Sequence, residues 1–142
     1  IKVYKRAIIG LLSSGNELVE SHEEGELADG KIRDSNKPMM KGLLIQSGVC
    51  PDQIRDYGSM SDDSADIHAK MQEALKEVDI LVTTGGVSMG KRDLIKPYVE
   101  ATGEVFFGRL NMKPGKPTTF GRINEALVFA LPGNPVSCFV TF

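Results

Sequence analysis

Hydrophobic positions fall into short runs separated by polar, glycine-rich turns, and the spacing of the runs alternates along the chain. Ala7-Ile8-Ile9-Gly10-Leu11-Leu12 is nearly continuous, as in a strand buried on both faces, and ends in Ser13-Ser14-Gly15-Asn16-Glu17. Met39, Met40, Leu43 and Leu44 then recur at helical spacing. Asp34, Ser35 and Asn36 are the capping candidates before them, and Ser47-Gly48 closes the helix. Residues 53–59 carry a weaker strand pattern. Ser61-Asp62-Asp63-Ser64 opens a second helix with Ile67, Met71, Leu75 and Val78 facing inward. Ile80-Leu81-Val82 is another buried strand. A third helix runs through Leu94, Ile95, Tyr98 and Val99 and stops at Gly103. Val105-Phe106-Phe107 is strand-like. Residues 118–122 and 126–131 read as two strands of a short hairpin turned at Asn124-Glu125. Pro132-Gly133-Asn134-Pro135 breaks the second strand, and Pro135 suits the first turn of a last helix. Only residues 22–30, acidic and without periodicity, read as a surface excursion.

Strands alternating with helices imply an α/β fold, a three-layer sandwich around a mostly parallel central sheet with right-handed crossovers. Ligands of such sheets bind outside the carboxyl ends of the strands. Glu17, Asp62, the Gly85-Gly86 loop, Asp93, the Lys113/Lys116 loop and the Pro132–Pro135 turn are therefore expected on one rim.

Composition narrows the classes. A chain of 142 residues with 41% hydrophobic and 25% charged residues is one globular domain with a sizeable core. A net charge of -2 argues against a nucleic-acid surface. Cys50 and Cys138 lack metal-site spacing and read as reduced thiols of a cytoplasmic protein. No apolar run approaches the ~20 residues of a membrane span, and no signal peptide is visible. Starting at Ile1 and stopping at Thr141-Phe142 inside an apolar segment, the chain reads as a piece of a longer protein.

The candidate chemistry is mostly anion recognition. Thr83-Thr84-Gly85-Gly86-Val87-Ser88-Met89-Gly90-Lys91-Arg92-Asp93 joins a strand to a helix start. Its glycines let backbone N–H groups approach a ligand, although neither nucleotide-loop signature is present. Lys113-Pro114-Gly115-Lys116-Pro117 is a stiff basic loop suited to an oxyanion, because proline fixes the directions of the lysines. Residues 131–137 form a second strand–glycine–helix junction. His68 has no ligand-spaced partner, and the methionines read as core filler.

These motifs together resemble a family. Ser14-Gly15-Asn16-Glu17-Leu18, residues 30–36 (Gly-Lys-Ile-Arg-Asp-Ser-Asn), Thr84-Gly85-Gly86-Val87-Ser88-Met89-Gly90 with Asp93, Met112-Lys113-Pro114-Gly115-Lys116-Pro117 and Leu131-Pro132-Gly133-Asn134-Pro135-Val136-Ser137 occur in this order. Over nearly its whole length the chain resembles the molybdopterin molybdotransferases, which include bacterial MoeA and the gephyrin E domain. The resemblance implies that residues 1–142 are the MogA-like, molybdopterin-binding subdomain of a longer cytoplasmic enzyme. The implied reaction joins molybdate to adenylated molybdopterin, with Mg²⁺ as cofactor and AMP released. It also implies a homodimer for the full-length protein and an adenylyltransferase domain as a partner.

Residue by residue, the resemblance assigns catalysis to Asp62, Asp93 and Glu17, with Asp62 and Asp93 holding the metal. Lys113 and Lys116 match the molybdate-site lysines. Gly85, Gly86, Ser88, Pro132, Gly133, Asn134, Pro135 and Ser137 would hold the pterin and phosphate. Ser61 departs from the glycine or arginine often found before the aspartate. Two other readings compete: a molybdopterin adenylyltransferase, which shares the fold and the Thr-Gly-Gly loop, and a gephyrin-like scaffold. The Lys-Pro-Gly-Lys-Pro and Leu-Pro-Gly-Asn-Pro stretches favour the molybdotransferase over the first, and the intact acidic and basic set argues against scaffolding alone.

Overall fold

A computed structural model describes residues 1–87 and 94–142. Its elements are β1 (Ile9–Ser14), β2 (Leu18–Val19), β3 (Ile32–Arg33), α1 (Asn36–Gln46), β4 (Ile54–Met60), α2 (Ser64–Ala74), β5 (Ile80–Thr84), α3 (Ile95–Thr102), β6 (Glu104–Phe107), β7 (Thr119–Ile123), β8 (Ala126–Leu131) and α4 (Pro135–Thr141). The main sheet has the order β4-β1-β5-β8-β7-β6. β4, β1, β5 and β8 are parallel, with Ile9 opposite both Ile54 and Ile80, and Ile80 opposite Leu127. β7 runs antiparallel to β8, and β6 antiparallel to β7. The expected α/β sandwich is thus present.

Alternation along the strands divides the core into two layers. Leu12, Leu81 and Val128 pack with Ile67 and Met71 of α2 and Ile95 and Val99 of α3. Leu11, Val82 and Leu131 pack on the other face with Met40 and Leu44 of α1 and Cys138 of α4. Met40 and Met71 are fully buried, as core filler should be. Burial pushes the Cys138 thiol up to about 12, with Asp34 adding to it. No helix among the described residues is long and apolar enough to cross a membrane.

Several expectations shift. Val78 is buried, but α2 ends at Ala74 with Leu75 as its C-cap, so Val78 points inward from the following turn. The hairpin expected at Asn124-Glu125 exists, yet it is no appendage. β8 sits beside β5 inside the parallel core and leaves β7 and β6 to form the outer strands. The excursion over 22–30 is exposed throughout, but β2 and β3 clamp its ends together as a small parallel sheet. Two-residue strands have no period to read. They are held by Ile32 N–H to the Glu17 carbonyl at 2.8 Å and Asp34 N–H to the Val19 carbonyl at 2.8 Å.

β1 starts and ends two residues later than the apolar run suggests, so Ser13 and Ser14 are buried strand residues. Pairing with Thr84 and Met60 carries the ladder past Leu12. What makes polar strand ends tolerable is a buried network. Asp34, 2% exposed, accepts from the Ser13 hydroxyl at 2.5 Å, and that hydroxyl lies 3.1 Å from Thr84 Oγ1. The other Asp34 oxygen accepts from Asn36 N–H at 2.9 Å and Lys37 N–H at 3.2 Å. Asp34 therefore caps α1, while Ser35, in the N-cap position, makes no side-chain cap bond.

Lys37 is 3% exposed, and its ammonium reaches Glu20 at 2.7 and 2.8 Å, Asp56 at 3.1 Å and Asp34 at 3.8 Å. Burial alone would raise the Glu20 carboxyl, but the Lys37 ammonium and the Ser59 hydroxyl outweigh it and hold its pKa below the ordinary carboxylate value.

Removing one partner of a buried ion cluster leaves the others uncompensated. Lys37→Met is expected to lower unfolding stability by about 3 kcal/mol at neutral pH, measured by urea denaturation. Glu20 has a depressed folded-state pKa, so its contribution is complete above the unfolded-state value and disappears as pH falls through the folded one. The stability gap between the native chain and Glu20→Gln should therefore close in acid. A gap constant down to the acid limit would rule out that linkage.

Candidate functional site

Four parallel strands deliver their carboxyl ends to one rim, and the loops leaving β1, β4, β5 and β8 meet there. Close approach is possible because glycines face one another. Gly85 has φ +85, and its N–H bonds the Leu131 carbonyl at 3.0 Å. A Cβ on Gly85 would run into the Ser14 carbonyl oxygen, and a Cβ on Gly133 would lie 3.3 Å from Gly85 Cα. The floor between β1, β5 and β8 is therefore backbone packed on backbone.

Above this floor lies a crevice of about 310 Å³ lined by Ser14, Gly15, Glu17, Asp62, Gly85, Gly86, Gly133 and Asn134. The structure thus brings Glu17, Asp62, Gly85, Gly86, Gly133 and Asn134 together. The Glu17 carboxylate folds back over Gly15, where a Cβ would sit 2.7 Å from its Oε2. Asp62 is half-buried, and its N–H donates to Asn16 Oδ1 at 3.1 Å, which ties the loop after β4 to the loop after β1.

The neighbouring acids do structural work. Asp63 caps α2 by accepting from Ala65 and Asp66 N–H groups. Asp66 accepts from the Ser61 N–H at 2.6 Å and the Ser61 hydroxyl at 2.9 Å, and these two bonds hold its carboxyl below the usual range. Ser61 thereby braces the segment that presents Asp62.

Other candidates fall elsewhere. Asn134 caps α4, its Oδ1 accepting from Ser137 N–H at 3.1 Å, so Ser137 is engaged by that cap and does not line the crevice. Pro132 is buried, and Pro135 lines an adjoining recess. Lys113 and Lys116 are exposed and line a separate concavity of about 540 Å³ made by residues 111–117 alone. That loop joins the end of β6 to the start of β7, so it lies on the same rim. It is held by Leu110 N–H to the Lys116 carbonyl at 2.9 Å and by the Thr118 hydroxyl to the Gly115 carbonyl at 2.7 Å. Gly115 packs against Thr141, at the far end of α4 from Asn134. Ser88 and Asp93 lie outside the described residues. His68 is exposed, 2.7 Å from the Ser64 carbonyl and edge-on to the Tyr98 ring, away from the site.

Reading the residues one by one missed the recess of about 80 Å³ beside the crevice, lined by Ser14, Asp34, Asn36, Thr84, Gly133 and others. Asp34 and Asn36 read as helix caps, and nothing in their spacing indicates that they also wall a recess.

Among the described residues, no three histidine, cysteine or acidic side chains converge as a metal-ligand set. Glu17 and Asp62 on one crevice are a two-carboxylate donor set. It suits an oxygen-preferring ion that also takes ligands from substrate and water.

A family model described as a probable molybdopterin binding domain matches residues 10–142. Across its full length the chain is 39% identical to the molybdopterin molybdenumtransferase of Haemophilus influenzae, covering 34% of it. It is 37% identical to that of Bacillus subtilis, covering 32%. Over 94% of its length it is 40% identical to gephyrin of Dictyostelium discoideum, covering 22%. A solved molybdopterin biosynthesis MoeA protein of Pyrococcus horikoshii superposes on 94% of the chain with a TM-score of 0.82 at 32% identity, and 32% of that protein is covered. The Mog protein of Mycobacterium ulcerans, at 18% identity and a TM-score of 0.69, shares the fold. The chain spans at most about a third of the curated relatives' lengths.

Gly85→Ala tests the floor. The added methyl meets both a left-handed backbone and the Ser14 carbonyl, so a loss of about 2 kcal/mol or more is expected in denaturant unfolding. A variant as stable as the parent would show that the strand ends are not packed this tightly.

Proposed function

The chain belongs to the molybdopterin-binding domain family, and from that premise we propose that it forms part of a molybdotransferase site in a longer protein. The observation behind this reading is the crevice itself. Glu17 and Asp62 face a floor made by Gly85, Gly86 and Gly133, so carboxylates stand beside open backbone at the ends of four parallel strands. That arrangement suits the pyrophosphate of adenylated molybdopterin taken up together with a divalent cation.

Glu17 and Asp62 would hold Mg²⁺, with Asp93 assigned from the motif. The ion would offset the pyrophosphate charge and polarise its phosphoryl oxygens. The glycines let the strand-end backbones pack on one another, so the phosphates would lie on a floor of backbone. Lys113 and Lys116, on the neighbouring loop, supply cationic groups for molybdate or phosphate oxygens. In the overall reaction the two dithiolene thiols bond molybdenum as one molybdate oxygen leaves with their protons as water, and water cleaves the pyrophosphate so that AMP is released.

The test uses the full-length protein with adenylated molybdopterin, Mg²⁺ and molybdate, following AMP by chromatography. AMP release is expected to depend on molybdate and to fall by about 10-fold or more in Asp62→Ala. Wild-type turnover in that variant would remove Asp62 from the reaction. Consumption of ATP with free molybdopterin, and no need for molybdate, would make the protein an adenylyltransferase. Tight binding without release would make it a binding module.

A further inference from the structure

We propose that the recess beside the crevice is a subsite for the amine-bearing edge of a heteroaromatic ring, read by Asn36 and Ser14. The ring's identity rests on the functional reading above; its chemistry rests on the recess alone.

Asn36 is 8% exposed, and its Nδ2 donates to the Gly133 carbonyl at 2.8 Å. A carbonyl only accepts, so this bond fixes the amide with nitrogen toward Gly133 and Oδ1 turned away. That Oδ1 is buried and has no partner among the described residues. Ser14 is 6% exposed, and its Oγ is likewise buried without a partner. Both residues line the recess. Buried polar atoms are rarely left unpaired in folded proteins, so two in one small space point to a missing partner.

Of the other polar side chains that line the recess, Asp34, Thr84 and Arg33 are engaged within the fold, whereas the Glu17 carboxylate and the Ser35 hydroxyl also line it. Asp34 accepts from Ser13, Asn36 and Lys37. Thr84 Oγ1 faces the Ser13 hydroxyl, and the Arg33 guanidinium donates to the Glu23 and Gly25 carbonyls. What is buried and open is the Asn36 oxygen, a pure acceptor, and the Ser14 hydroxyl, with the Glu17 carboxylate a further acceptor on the side shared with the crevice. An oxyanion there would place oxygen against the Asn36 oxygen, whereas an N–H group satisfies it. About 80 Å³ admits the edge of a ring but not the whole ring, and Leu18 and Ile32 give the walls apolar surface. The recess shares Ser14, Glu17 and Gly133 with the crevice, so a ligand seated here by its ring edge can lay its tail across the glycine floor.

Adenylated molybdopterin carries two such edges, the pterin amine and the adenine amine. The experiment measures binding to the full-length protein by titration calorimetry with two matched pairs. Lumazine replaces the exocyclic amine of pterin by a carbonyl, and purine riboside monophosphate lacks only the amine of AMP. One pair should show a preference for the amine-bearing member of about tenfold, and that pair identifies the ring. Asn36→Leu and Ser14→Ala should each bring the preference close to unity. Ser14→Ala deletes a hydroxyl with no protein partner, so its unfolding midpoint should not fall, whereas Asn36→Leu also loses the Gly133 bond.

Equal affinities within both pairs, no binding of any of the four compounds, or an undiminished preference in both variants would overturn the subsite. Molybdate-dependent AMP release is followed in parallel. Release without an amine preference removes the subsite and leaves the molybdotransferase reading standing. A preference lost in both variants, in a protein that releases no AMP, keeps the subsite and removes that reading.

Discussion

One buried cation organises the site side of this fold. Lys37 sits at 3% exposure among Glu20, Asp56 and Asp34, which come from the residue after β2, the edge strand β4 and the segment just before α1. Its charge is tolerable only because all three carboxylates are in place, and they stay close because the cation is there. Asp34 extends the constraint inward through Ser13 to Thr84, so the ends of β1 and β5 are set by the same cluster that caps α1. Such a cluster adds little to stability compared with an apolar core of equal volume. Its effect is to give the end of β2 and the first helix one position relative to the strand ends.

That division explains how much was visible in the chain. Runs such as Ile80-Leu81-Val82 and stripes such as Ile67 and Met71 declare themselves through period, because burial on one side or both repeats with the geometry of the element. Glu17, Asp62, Gly85, Gly86, Gly133 and Asn134 could be placed on one rim because parallel strands end on one side. The rest depended on non-local facts. β8 enters the middle of the sheet rather than its edge, which no local pattern dictates. Lys37 looks like any solvated helix lysine until Glu20 and Asp56 surround it. Asp62 and Asp63 are alike in local pattern, and only the family resemblance singles out Asp62; in the structure Asp63 caps α2 and Asp62 lines the crevice.

The same contrast separates the acidic and basic halves of the rim. Glu17 and Asp62 stand over the parallel core, braced by Asn16 and Ser61. Lys113 and Lys116 hang from the loop between the outer antiparallel strands and rest against the end of α4 through Gly115. In the proposed reaction, the part that receives pyrophosphate is therefore built into the sheet, while the part that receives an oxyanion is attached beside it.

The parallel pairing of β1 with β5, and of β5 with β8, has a kinetic meaning. Ile9 pairs with Ile80, and Ile80 with Leu127, so the ladder joins segments far apart in the chain. Contacts of this kind require long loops to close, which slows folding. The Gly85–Gly133 floor exists only once β8 has docked beside β5, so the crevice cannot form before that pairing. A ligand held on that floor therefore recognises the paired sheet. Its binding energy then goes wholly to the native state, and the nascent domain gains nothing from ligand until its last parallel strand is home.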